Sequence, residues 1–157
     1  MHQLGAQRVD AFDIDPKMLS LAARRFRQES DVHLWLGDAR TLPVGSGVYD
    51  AVLDFGTLYL IAEWRRVVVE IARVLRPGGK FLFEIPACAL TRLRNPLVTR
   101  DRRVSAIPFG RSFVREIEVA GFTVRHSRLR FAGSIQLAGD LVGVATRSHG
   151  HDGDSVS

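Results

Sequence analysis

A chain of 157 residues, 46% hydrophobic and 25% charged, has the size of one ordinary domain with a real core and the balance of a soluble protein. No apolar run reaches the length needed to cross a bilayer, and the opening residues show no signal-peptide pattern, so no membrane partner is expected. The net charge of +5 rests almost wholly on arginines scattered along the chain, since Lys17 and Lys80 are the only lysines among 22 basic residues, and that scatter argues against a nucleic-acid partner. Cys88 is the single cysteine, which excludes an internal disulfide framework and makes a reducing, cytoplasmic location the expectation.

The first element is a strand, "RVDAFD", with Val9, Ala11 and Phe12 as its interior positions. It ends on acid at Asp13. Asp15 has the side chain of a helix N-cap and Pro16 suits the first helical position, where no amide is required. Met18, Leu19, Ala22, Ala23 and Phe26 then recur at helical spacing over an arginine-rich outer face. In "VHLWLGDARTLP", Val32, Leu34 and Leu36 alternate with His33 and Trp35 as a second strand closed by Gly37 and Asp38.

A third strand runs from Val48 to Leu53 and ends on Asp54. The following helix carries Trp64, Val67, Val68, Ile71, Val74 and Leu75 on one face and stops at Pro77 and the Gly78-Gly79 pair. "KFLFEIP" is the next strand. The basic stretch from Arg92 to Arg103 lacks the aromatic interleaving that base stacking requires and reads as a solvated loop, with a lid over an acidic substrate as the alternative. A helix with Phe113, Val114, Ile117 and Ala120 on one face then ends at Gly121, and "FTVRHSRLRF" and "GDLVGVATR" close the fold as an antiparallel hairpin. The tail "SHGHDGDSVS" has no apolar anchor, so residues 148–157 are expected to be disordered, with His149 and His151 solvated there. Strands alternating with helices predict an α/β fold with a mostly parallel sheet and helices on both faces, in one domain over residues 1–147.

In an open parallel sheet, ligands bind outside the carboxyl ends of the strands, and three successive strand ends here carry Asp13, Asp38 and Asp54. With "FDIDPKML", "GDARTLP", "YDAVLDFGTLYLI" and "VEIARVLRPGGKFLFEIP" in this order, the chain resembles the class I S-adenosylmethionine-dependent methyltransferases of the small-molecule type, from about Gly5 to Arg147. The resemblance implies a Rossmann-like fold, S-adenosylmethionine as cofactor and a small-molecule methyl acceptor. It implies that Asp13 accepts from the ribose hydroxyls, that Ile14 packs on the adenine, and that Asp38 receives the adenine amine while the Ala39 amide faces a ring nitrogen. Asp54 and Phe55 would border the methionine portion. Where many relatives have "LHHL" this chain has Leu58-Tyr59-Leu60-Ile61, which leaves Tyr59 as the nearest polar group on the substrate side.

A sulfonium methyl is already activated, so no residue is assigned as a catalytic acid or base, and no metal is expected. Cys88 and His33 read as structural, His126 as solvated, and the acceptor site is expected under the segment from Ala87 to Arg111. In the resembling family the Asp13 strand is second, after a central strand, a Gly-rich turn and a helix. Here "MHQLGAQ" matches only the last turn of that helix. The expectation is therefore a domain incomplete at its N-terminus, either a piece of a longer methyltransferase or a product that has lost cofactor binding and survives as a non-catalytic module or regulatory partner subunit, with a partner chain or self-association in the latter case. A nicotinamide-dependent dehydrogenase fits less well, because "GDARTLP" and "LRPGGK" follow the methyltransferase pattern.

Overall fold

The computed structural model describes residues 5–85, 111–129 and 140–148. They fall in two compact units, Met1–Pro43 and Val44–Ser157.

The first unit is a strand, a helix and a strand. β1 (Val9–Asp13) and β2 (Val32–Leu36) pair in parallel, with Val9 opposite Val32 and Asp13 opposite Leu36, and α1 (Pro16–Arg25) connects them. The helix begins as its sequence predicts: Asp15 is extended at φ −96° and ψ 112°, and its carboxylate accepts from the Lys17 amide at 2.8 Å. Arg24 and Arg25 in the last turn complement the negative end of the helix dipole. The predicted apolar face is only partly used. Leu19 and Ala22 are half-buried, whereas Met18, Ala23 and Phe26 are exposed, and no described residue of this unit is buried. Two strands make too narrow a platform to cover a helix face.

The second unit holds the core. β3 (Tyr49–Phe55), α2 (Trp64–Val74), β4 (Leu75–Ile85), α3 (Arg111–Val119), β5 (Phe122–Leu129) and β6 (Asp140–Arg147) build a four-stranded sheet in the order β3-β4-β6-β5. β3 and β4 are parallel; β6 is antiparallel to both β4 and β5, which is the expected closing hairpin. Two boundaries differ from the sequence reading. The third strand extends through Asp54 to Phe55, and Leu75 leaves the helix, taking extended angles and pairing with Tyr49. The next pair is Ala51 with Lys80, so residues 76–79 bulge out of the ladder, where Pro77 has no amide to lose.

Parity along β4 decides what is covered. Phe81, Phe83 and Ile85 point to one face and are buried. Phe83 meets Phe113 of α3 edge-on at 5.4 Å, Phe113 meets Trp64 of α2 at 5.5 Å, and Phe81 meets Phe83 and Phe122 at 5.4 and 6.0 Å. Both helices therefore share this face. Arg65 and Glu116 join them at their exposed side through two 3.0 Å bonds, a pair worth little in water. The register places Val52 and Asp54 on the covered face, opposite Phe81 and Phe83, while Ala51, Leu53 and Phe55 point to the other face and are exposed.

Two substitutions test these assignments by denaturant unfolding. Asp15→Ala removes the α1 cap and should destabilise the first unit by about 1 kcal/mol. Gly143 lies opposite Phe83, and a Cβ there would collide with ring atoms Cζ, Cε1 and Cε2. Gly143→Ala should cost the second unit about 1–3 kcal/mol through overpacking, and an unchanged midpoint would show that the Phe83 ring is not held against β6.

Candidate functional site

Parallel pairing brings the ends of β1 and β2 side by side. The Gly37 amide donates to the Asp13 carbonyl at 3.0 Å, so the chain leaving β2 carries Asp38 and Ala39 past the tip of β1. Asp13 is half-buried, and its Oδ1 accepts from the Asp15 amide at 2.8 Å. Among the described residues its Oδ2 takes no protein donor. Ile14 follows and is 66% exposed, an apolar surface beside a carboxylate with an oxygen to spare. Asp38 is differently placed: Arg40 donates to it from its amide at 2.9 Å and from its guanidinium at 2.6 to 3.0 Å, so that carboxylate is neutralised within its own turn. Ala39 is half-buried between them in sequence.

The other candidates lie at the end of β3. Asp54 is 9% exposed, and it accepts from the Thr57 amide at 3.0 Å through Oδ1 and from the Leu58 amide at 3.2 Å through Oδ2. Burial pushes its carboxyl above the ordinary aspartate range, and the Leu58 and Thr57 amides pull it part of the way back. Because the folded-state value is the higher one, folding favours the protonated form. That stabilisation is present below the ordinary aspartate value and is lost as pH rises through the folded-state value. Phe55 has the opposite parity and is 62% exposed. Tyr59 is half-buried in the 3-10 turn Leu58–Leu60, and its Cε1 approaches Gly56 so closely that a Cβ there would sit 3.3 Å away.

Asp13, Ile14, Asp38 and Ala39 thus gather in the first unit, and Asp54, Phe55 and Tyr59 in the second. His33 is an exposed residue of β2. Cys88, the basic stretch from Arg92 to Arg103, the expected acceptor segment from Ala87 to Arg111 and the tail with His149 and His151 lie outside the described residues, as does the side chain of His126. Arg40, Gly56 and Thr57 are local partners that the sequence reading passed over; the signals were Asp-x-Arg in "DAR" and Asp-x-x-Thr in "DFGT", spacings at which a carboxylate reaches back-bonding donors. Among the described residues no cluster of His, Cys, Asp and Glu could hold a metal, and no helix is long and apolar enough to cross a membrane.

Comparison with known proteins bears on the family and the fold. The family model described as "Methyltransferase domain" matches residues 1–83. An uncharacterized methyltransferase of Bacillus subtilis is 29% identical over 110 residues, covering 70% of this chain and 55% of that protein. The demethylmenaquinone methyltransferase of Halalkalibacterium halodurans is 28% identical over 134 residues, covering 83% of this chain and 54% of its own length. The chain therefore spans about half the length of these curated relatives. Among solved structures, a chain from the complex between the Haloferax volcanii Trm112 methyltransferase activator and a methyltransferase superposes with a TM-score of 0.73 at 20% identity, over 92% of this chain and 74% of that one, which shows the fold. With a family model covering more than half of its residues and an α/β Rossmann-like fold to match, the chain belongs to the methyltransferase domain family.

Proposed function

We propose that this chain takes part in transfer of a methyl group from S-adenosylmethionine to a small-molecule acceptor, in the cytoplasm. The observation that carries the reading is the tip of β1, where, among the described residues, Asp13 keeps one carboxylate oxygen without a protein donor next to the exposed Ile14. A vicinal diol needs such an acceptor, and a purine face needs such an apolar surface. The residues present therefore fit the nucleoside half of the cofactor. Asp13 would hold the ribose hydroxyls and Ile14 the adenine. Asp38 and the Ala39 amide would face the adenine edge, with the adenine amine competing against Arg40 for the Asp38 carboxylate. Phe55, backed by Asp54 on the other side of its strand, would border the methionine portion.

The bound cofactor would supply a methyl already activated on a sulfonium. What the chain must add is placement and exclusion of water rather than strong acid or base chemistry. Tyr59, in the turn that follows β3, would orient the acceptor through its hydroxyl.

Titration calorimetry with S-adenosylmethionine and S-adenosylhomocysteine tests this, with a nicotinamide dinucleotide as the control. Both sulfur compounds should bind, and Asp13→Ala should weaken them by about 1–3 kcal/mol, on the order of 5- to 150-fold. Equal affinity in the variant would remove Asp13 from the site. Binding of the nicotinamide dinucleotide alone would replace the methyltransferase reading with a dehydrogenase one. A screen of small molecules with methyl-labelled cofactor then identifies the acceptor.

A partner chain or self-association is proposed on a separate observation. Among the described residues β1 and β2 pair only with each other and β3 with β4 alone, so three parallel strands each keep one edge without a neighbour. Parallel strands are rarely left so. Light scattering should find this chain in assemblies larger than a monomer, and a monodisperse monomer would overturn the proposal.

A further inference from the structure

Asp54 is a buried carboxylate that makes no ion pair among the described residues. Its side chain lies on the helix-covered face of the sheet, opposite Phe83. A carboxylate taken out of water in this way persists only if backbone donors replace the lost water. The donors are the Thr57 and Leu58 amides, one to each oxygen, with the Thr57 hydroxyl assisting them.

Those two amides sit at the start of the 3-10 turn Leu58–Leu60. Thr57 occupies its cap position yet makes no side-chain capping bond of its own, so the capping acceptor comes from Asp54 in the preceding strand. Gly56 makes the connection possible at φ +85°, a left-handed conformation that glycine adopts at little cost. The absence of a Cβ at Gly56 also admits the Tyr59 ring. Leu58, 1% exposed, pins the turn from the core side, and the Leu60 and Ile61 amides close it on the Thr57 and Leu58 carbonyls at 2.9 and 3.1 Å.

We infer that Asp54 is a positioning residue: its carboxylate clamps the turn of residues 56–60, thereby fixing the Tyr59 ring beside the end of β3, and does not itself contact the cofactor. The contrast with Phe55 supports the assignment. One step along the strand, Phe55 points to the exposed face and is available to a ligand, whereas Asp54 is covered and has both oxygens committed. The consequence for methyl transfer rests on the reading of Tyr59 as an acceptor-side group; the clamp itself does not.

Asp54→Asn keeps the shape of the side chain but leaves one amide facing an NH2 group. In a chain carrying ring-labelled tyrosine, with Tyr49 and Tyr59 assigned by Tyr49→Phe and Tyr59→Phe, the variant should shift the Tyr59 ring signals towards those of an unfolded tyrosine and leave Tyr49 unmoved. Affinity for S-adenosylhomocysteine should stay within about twofold, the scatter expected of an independent site. Unchanged Tyr59 signals would overturn the clamp, and a loss of affinity beyond about tenfold would make Asp54 a ligand instead. If the parent chain binds no S-adenosylhomocysteine, the methyl-transfer reading fails while the Tyr59 signals still decide the clamp. Should the variant fail to fold, hydrogen exchange on the parent chain decides: the Thr57 and Leu58 amides should exchange at least about tenfold more slowly than the amides of the exposed residues 45 and 46, and equal rates would overturn the inference.

Discussion

The ring of Phe83 has room because residue 143 is glycine, and the arrangement of the second unit depends on that fit. Phe83 is flanked by Asp54 on β3 and Gly143 on β6, with Phe113 of α3 edge-on above it. An aromatic ring lying against a neighbouring strand's backbone pins register more firmly than ladder hydrogen bonds do, because a slip of one residue would set the ring against a side chain and reverse every parity along the strand. Phe81 and Trp64 extend the same contact to β5 and α2. With register fixed, the face on which each β3 side chain emerges is fixed too, and so is the difference between Asp54 and Phe55.

The first unit is held by other means. With no buried residue and only two strands among its described residues, it has little hydrophobic stabilisation of its own, and its order is local. Four aspartates each bond to a residue two positions away: Asp10 to Arg8, Asp13 to the Asp15 amide, Asp15 to the Lys17 amide, and Asp38 to Arg40. Asp10 also receives the Trp35 indole at 3.0 Å, a direct side-chain link between β1 and β2. Such short-range bonds shape turns at strand ends without a core beneath them. The candidate residues of the first unit are thus set by turn chemistry, while the second unit that carries Asp54, Phe55 and Tyr59 rests on packed aromatics.

The elements themselves were legible because each obeys one strong local rule. The Asp15-Pro16 start of α1, the helical stripe of α2 and the glycine after α3 all appear where the sequence puts them. Leu75 was misread because an apolar residue after Val74 continues the helical stripe equally well; pairing with Tyr49 decides it, and that partner lies 26 positions away. The half-exposed face of α1 was not legible either, since periodicity reports which residues could be buried and not whether a surface wide enough to bury them exists. Within the candidate site, the strand-end positions of Asp13, Asp38 and Asp54 were readable as a pattern. The fate of each carboxylate was not, because it turns on whether a local donor has already claimed it.

That last point separates three residues that look alike in the sequence. Asp38 is taken by Arg40, a charged donor within its own turn, and a ligand group can reach it only in competition with a guanidinium. Asp54 faces the covered side of its sheet, where a bare carboxylate is costly, and the Thr57 and Leu58 amides, with the Thr57 hydroxyl, occupy it. Among the described residues Asp13 serves a single amide and stays half exposed, so of these three it combines a fixed orientation with a spare oxygen. A strand-end aspartate is ready for a ligand only when the turn that follows it asks for fewer acceptors than the carboxylate has. Sequence motifs mark the strand end; the donors of the next four residues decide whether the acid there binds a ligand or shapes the loop that does.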